Sequence, residues 1–139
     1  MENFFSEIGF VINNIRHLSA REAFAAIEKG AFLVDLREEY LTAMKTFKVP
    51  NYIICPLTAL NENLGLLPKN KPLIVSDATG LHSKEAVKIL SDSGFVVANL
   101  AGGIMDWGRD GFPVNKDPNE QLSGQCPCML KPMKKIKKS

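Results

Sequence analysis

The residues best placed to do chemistry lie in Val75-Ser76-Asp77-Ala78-Thr79-Gly80-Leu81-His82-Ser83. An apolar run ends there, a short loop follows, and a helix-forming stretch opens at Ser83. A loop leading into a helix start aims several backbone N–H groups at one point, and the helix adds partial positive charge. That is a cradle for an anion or an activated nucleophile. Asp77 stands at its mouth. A carboxylate held by such donors stays ionised, fills the anion site itself and repels external anions. Asp77 as a nucleophile in its own right would form an acyl-phosphate, yet no metal-binding carboxylates accompany it. A loop cap is the preferred reading. His82, largely neutral at pH 7, either meets a ligand at the cleft or faces solvent, and the second reading is preferred.

A second group of reactive atoms is Cys126-Pro127-Cys128, followed by Lys131 and the run Lys134-Lys135-Ile136-Lys137-Lys138. Neighbouring lysines favour the thiolate. Two soft ligands do not complete a tetrahedral zinc site, but two copies of the chain would supply four. An inert tail is the reading given most weight, with a local disulfide and a sulfur carrier as alternatives. From Val114 the thiols are 12 residues away, up to ~40 Å if extended and roughly 17–21 Å as a coil. They can therefore reach the loop. Cys55, between Ile54 and Pro56, reads as a small buried apolar residue.

Elements must hold these groups in place. Residues 1–14 carry Phe4, Phe5, Ile8, Val11 and Ile12 at helical spacing and predict a short helical extension, packed on the domain or on a second copy. Ile15 to Leu18 is a brief strand, and Ser19-Ala20-Arg21-Glu22 is a capping box. The helix it opens buries Ala20, Ala23, Phe24 and Ile27 and stops at Gly30. Ala31–Leu36, Tyr52–Cys55, Pro72–Ser76 and Phe95–Leu100 are continuous apolar runs, as in a parallel sheet buried on both faces. Leu57 to Leu67 reads as a short helix, Ser83 to Ser91 as a helix ended by Gly94, and Gly102-Gly103 precedes a helix with Trp107 in the core. Strands alternating with helices make an α/β domain, whose ligands bind beyond the carboxyl ends of the strands. The loop at 77–83 lies at such an end.

Several segments resemble one family, the rhodanese-like or sulfurtransferase domain. Asp35-Leu36-Arg37-Glu38-Glu39-Tyr40 is similar to its DVRxxxEY-type signature, and Val49–Leu57 to the segment written HIPGAINIPL. Leu67–Pro72 leads into the central strand as in family members. Leu100-Ala101-Gly102-Gly103-Ile104-Met105-Asp106-Trp107 with Gly111–Val114 matches the closing signature. The resemblance covers residues 15–114 and implies a five-stranded, mainly parallel sheet flanked by helices on both faces. It also implies a loop cysteine that carries sulfane sulfur as a persulfide. Here Asp77 stands where that cysteine would, and His82 where an arginine is common. A carboxylate oxygen offers no stable counterpart to the S–S bond.

Charge divides unevenly along the 139 residues. Residues 1–114 hold 11 Lys+Arg against 13 Asp+Glu, and residues 115–139 hold six Lys against Asp117 and Glu120. The tail from 115 is therefore basic, and the domain mildly acidic. Five lysines in the last nine residues, without Arg or aromatics, read as a solvating end and not as a nucleic-acid site. Glu2 and Glu7 break any signal-peptide pattern, and no apolar run would span a bilayer. Three cysteines do not make a secreted disulfide framework, so a cytoplasmic protein with reduced thiols is expected. No motif calls for a cofactor.

Two functions are expected to compete. The first is a binding or regulatory domain without standard sulfur transfer. The second is a sulfurtransferase, or a sulfur or metal carrier, working through Cys126 or Cys128. The partner would be a protein, a small molecule or a second copy.

Overall fold

The computed structural model describes residues 4–78 and 82–116. The capping box forms as the sequence predicts. The Ser19 hydroxyl accepts the Glu22 amide at 3.2 Å, and the Glu22 carboxylate accepts the Ser19 amide at 2.9 Å. Helix α1 (Ala20–Glu28) follows, and Gly30, at φ +114°, turns the chain into the first buried strand.

The strands are β1 (Phe10–Ile12), β2 (Ile15–Leu18), β3 (Phe32–Asp35), β4 (Lys45–Phe47), β5 (Tyr52–Ile54), β6 (Leu73–Ser76), β7 (Val97–Leu100) and β8 (Val114–Lys116). The remaining helices are α2 (Glu39–Thr42), α3 (Ser83–Asp92) and α4 (Gly103–Arg109). The main sheet has the order β1-β2-β7-β6-β3-β5. From β2 to β5 every pairing is parallel, as in the mainly parallel five-stranded sheet that the resemblance implies, and β1 adds a sixth, antiparallel strand at the edge. β4 and β8 form a separate antiparallel pair.

Alternate residues along each strand feed two cores. Leu33, Ile74 and Ala98 meet α1 and α4 on one face, with Ala23, Ile27, Ile104 and Trp107. Val34, Leu73 and Val75 meet α3 and the crossover before β6 on the other, with Ala86, Leu90 and Leu60. Trp107 is fully buried and donates its indole N–H to the Pro113 carbonyl at 2.8 Å.

The helix expected over residues 1–14 does not form among the described residues. Residues 4–9 are turn and bend, and β1 pairs back on β2 with Phe10 opposite His17 and Ile12 opposite Ile15. Asn13 and Asn14, at φ 54° and 66°, make the two-residue turn. Asparagine tolerates positive φ, and this turn matches the twist of a hairpin. Pairing with β2 outweighs the helical spacing. Phe5 is buried, as expected of that segment, but Phe10, Val11 and Ile12 stand about half exposed on an open sheet edge. Leu57–Ala59 and Asn61–Leu66 are 3-10 turns in place of the expected helix. Pro56 just ahead and Asn61, Asn63 and Gly65 within are poor helix formers.

Candidate functional site

Strand β6 is buried throughout, and the chain leaves it at Ser76 into Asp77 and Ala78. Asp77 is 7% exposed. Its carboxylate Oδ2 accepts the backbone N–H of His82 at 2.7 Å, and the His82 ring Nδ1 lies 3.6 Å from the same oxygen. His82 is the N-cap residue of α3, and its side chain makes no cap hydrogen bond. Asp77 thus caps α3 from across the loop, where a negative charge meets the positive end of the helix. The His82 side chain is 81% exposed, which agrees with the solvent-facing reading.

The loop backbone is held from the other side. The Asp77 carbonyl accepts the Ile104 amide at 3.1 Å, and the Ala78 carbonyl accepts the Met105 amide at 3.1 Å. Both donors belong to the first turn of α4. Gly103 makes this approach feasible, because a Cβ there would run into the Asp77 and Ala78 carbonyls. Its φ of +58° is a second reason for glycine.

Beneath the loop runs a buried polar chain. The Ser83 hydroxyl donates to Asn99 Oδ1, and Asn99 Nδ2 lies 3.0 Å from His17 Nδ1. His17 and Asn99 face each other across β2 and β7. Ser83 and Asn99 are buried, and His17 is 9% exposed, with Phe10 stacked on its ring at 5.3 Å. Burial, and then the charge of Lys84, push the His17 pKa down, so the neutral ring is favoured. Sequence reading did not single out His17 or Asn99 as site residues. The one signal was an asparagine inside the apolar run of β7, since a buried amide needs partners.

Asp35 and Arg37 tie the end of β3 to its neighbours. Arg37 grips Asp35 through Nε at 2.9 Å and Nη2 at 2.8 Å, and Nη2 also donates to the Lys45 carbonyl. Tyr52 donates its hydroxyl to Asp35 at 2.5 Å. Cys55 is fully buried, and that burial pushes its thiol up to about 11, so it is a poor nucleophile at neutral pH. Of the predicted site residues, Asp77, Ala78, His82 and Ser83 come together at the head of α3. Thr79, Gly80, Leu81, Cys126 and Cys128 lie outside the described residues. Among the described residues no three His, Cys, Asp or Glu side chains gather in a metal-binding group. No described helix is long and apolar enough to cross a membrane.

The profile of the rhodanese-like domain matches residues 19–110. The chain belongs to that family. It is 28% identical over 105 residues to a sulfurtransferase of Allochromatium vinosum, covering 75% of this chain and 95% of the relative. A putative sulfurtransferase of Bacillus subtilis is 27% identical over 104 residues, covering 75% and 98%. Among solved structures, a rhodanese-related protein from Thermoplasma volcanium superposes with a TM-score of 0.66 at 30% identity, covering 72% of this chain and 97% of that one. The matched span of this rhodanese-like domain runs from the capping box through α4, and so includes the 77–83 loop and both helices that grip it.

Proposed function

We propose that this rhodanese-like domain is a binding or regulatory module without standard thiosulfate sulfurtransferase activity. One observation carries the reading. The Asp77 carboxylate, at the position that resembles the family's nucleophilic cysteine, is turned inward onto the His82 amide at 2.7 Å. It occupies the head of α3 as a cap, and its oxygens cannot form a persulfide. The expected outcome is no sulfur transfer from thiosulfate to cyanide by the natural chain, with some turnover gained by Asp77→Cys. Clear turnover by the natural chain that survives Ser at both tail cysteines would overturn it. The partner is a protein or a small molecule reached at the mouth beyond the carboxyl ends of the strands. The open edge of β1 suits a second copy.

A second reading rests on the thiols. Cys55 is the single cysteine among the described residues, and it is buried. Sulfur or soft-metal chemistry would therefore fall to Cys126 and Cys128, as a carrier or sulfurtransferase. Mass spectrometry after incubation with a persulfide donor separates the two readings. A sulfur adduct mapped to the tail supports the carrier, and its absence supports the binding module.

A further inference from the structure

The buried polar chain beneath the Asp77 loop has a direction. The Ser83 hydroxyl gives its proton to Asn99 Oδ1, so the amide nitrogen of Asn99 is the end turned to His17, 3.0 Å from Nδ1. An amide NH2 group only donates, which makes Nδ1 the acceptor and leaves the neutral ring's proton on Nε2. No buried side-chain N or O atom among the described residues lacks a partner, so the chain is satisfied in this sense of donation.

A proton on His17 demands the opposite sense. With Nδ1 protonated, two donors would face each other across 3.0 Å. Burial keeps both from water, so leaving them unpaired is costly. Turning the Asn99 amide about its terminal torsion, which is broadly two-fold, exchanges Oδ1 and Nδ2. Oδ1 then accepts from His17, and Nδ2 donates to Ser83 Oγ. The Ser83 hydroxyl becomes an acceptor on that side, and its proton swings away from β7. One proton enters the ring from solvent. Otherwise only an amide and a hydroxyl turn, and the backbone keeps its register.

The chain joins two separate places in the fold. His17 sits on β2, next to the edge strand, under the half-exposed Phe10 ring. Ser83 opens α3 directly after His82, whose amide the Asp77 carboxylate holds at 2.7 Å. The ring faces Phe10 from β1 and Asn99 from β7, both uncharged, and feels the positive charge of Lys84 from α3. Arg16, its neighbour on β2, points to the other face of the sheet and gives its guanidinium to the Ile8 carbonyl. Burial and then Lys84 favour the neutral ring, which is the state that the observed sense of donation requires.

We propose that His17, Asn99 and Ser83 form a pH-sensitive relay from the sheet edge to the head of α3. Protonating His17 reverses both hydrogen bonds and adds a hydroxyl donor at the end of α3 that Asp77 caps. This goes beyond the proposed function and concerns the folded chain alone, so it holds or fails independently of what the mouth binds.

The test reads side-chain and backbone 15N NMR shifts of the full chain from neutral to mildly acidic pH. His82 is the only other histidine and its side chain is 81% exposed, so His82→Gln leaves His17 as the one imidazole that titrates. In that background the His17 ring should carry its proton on Nε2 at neutral pH. The Asn99 side-chain amide and the backbone amides of Ala78 and Ser83 should then shift with the same midpoint as the ring. Adding Ser83→Ala should leave the ring and Asn99 titrating but remove the shift at Ala78. Lys84→Gln, an exposed change, should raise the midpoint at the ring, Asn99 and Ser83 in step. A neutral ring protonated on Nδ1, or an Asn99 amide that ignores the ring's titration, would overturn the proposal. So would an Ala78 shift that persists without the Ser83 hydroxyl, which assigns it to the bare charge on His17, or midpoints that move out of step in Lys84→Gln.

Discussion

Asp35 and Asp77 finish neighbouring parallel strands, with Asp35 level with Ser76, yet their carboxylates are held in opposite ways. Asp35 is fully buried and gripped by a permanent cation two residues along its own chain, with a tyrosine hydroxyl from β5 as a third hand. Burial pulls the Arg37 guanidinium down, but the hydrogen bonds and charge of Asp35 outweigh it and leave its pKa raised. Asp77 is held by the amide that begins a helix and stands near an imidazole that is 81% exposed. The first carboxylate is enclosed by side chains and serves as a strut. The second is enclosed by backbone and lies beside groups that solvent and ligands can reach.

The largest expected effect breaks the strut. Asp35→Ala leaves Arg37 buried without its counter-charge, which should cost about 3–5 kcal/mol in denaturant unfolding. Asp77→Ala should cost only about 1 kcal/mol, the usual loss for a helix cap, and Asp77→Asn less still. Equal losses at the two sites would erase the distinction drawn between them.

The polar chain beneath the loop should show itself through pH. His17 has a folded pKa below its ordinary value, so its contribution is complete above about pH 6.5 and is lost as pH falls through the lower folded value. His17→Gln should flatten the decline in melting temperature between neutral and mildly acidic pH. An unchanged slope would remove His17 from that role. Smallest of all, His82→Ala should move stability by less than about 0.5 kcal/mol, because its ring pairs with Asp77 in the open.

Much of this arrangement is legible in the residues. Continuous apolar runs give β3, β6 and β7, Ser19 with Glu22 gives the start of α1, and Gly102-Gly103 marks the approach of α4 to the loop. These signals are local, written within a few residues of where they act. The N-terminal hairpin is not, because Asn13-Asn14 declares a turn only once β2 is there to pair with. β4 and β8 escape for the same reason, since each is three residues long and stable only against a partner far along the chain. His17 and Asn99 are 82 residues apart and meet through sheet register, which no spacing rule exposes. The inward turn of the Asp77 carboxylate likewise depends on where the His82 amide lies in space.

One residue fastens two layers of this molecule together. Asp77 gives its carbonyl to α4 on one side of the sheet and its carboxylate to α3 on the other, so it acts as a rivet through the middle. A displacement of either helix would therefore disturb a hydrogen bond made by the same aspartate, which has partners on both flanks.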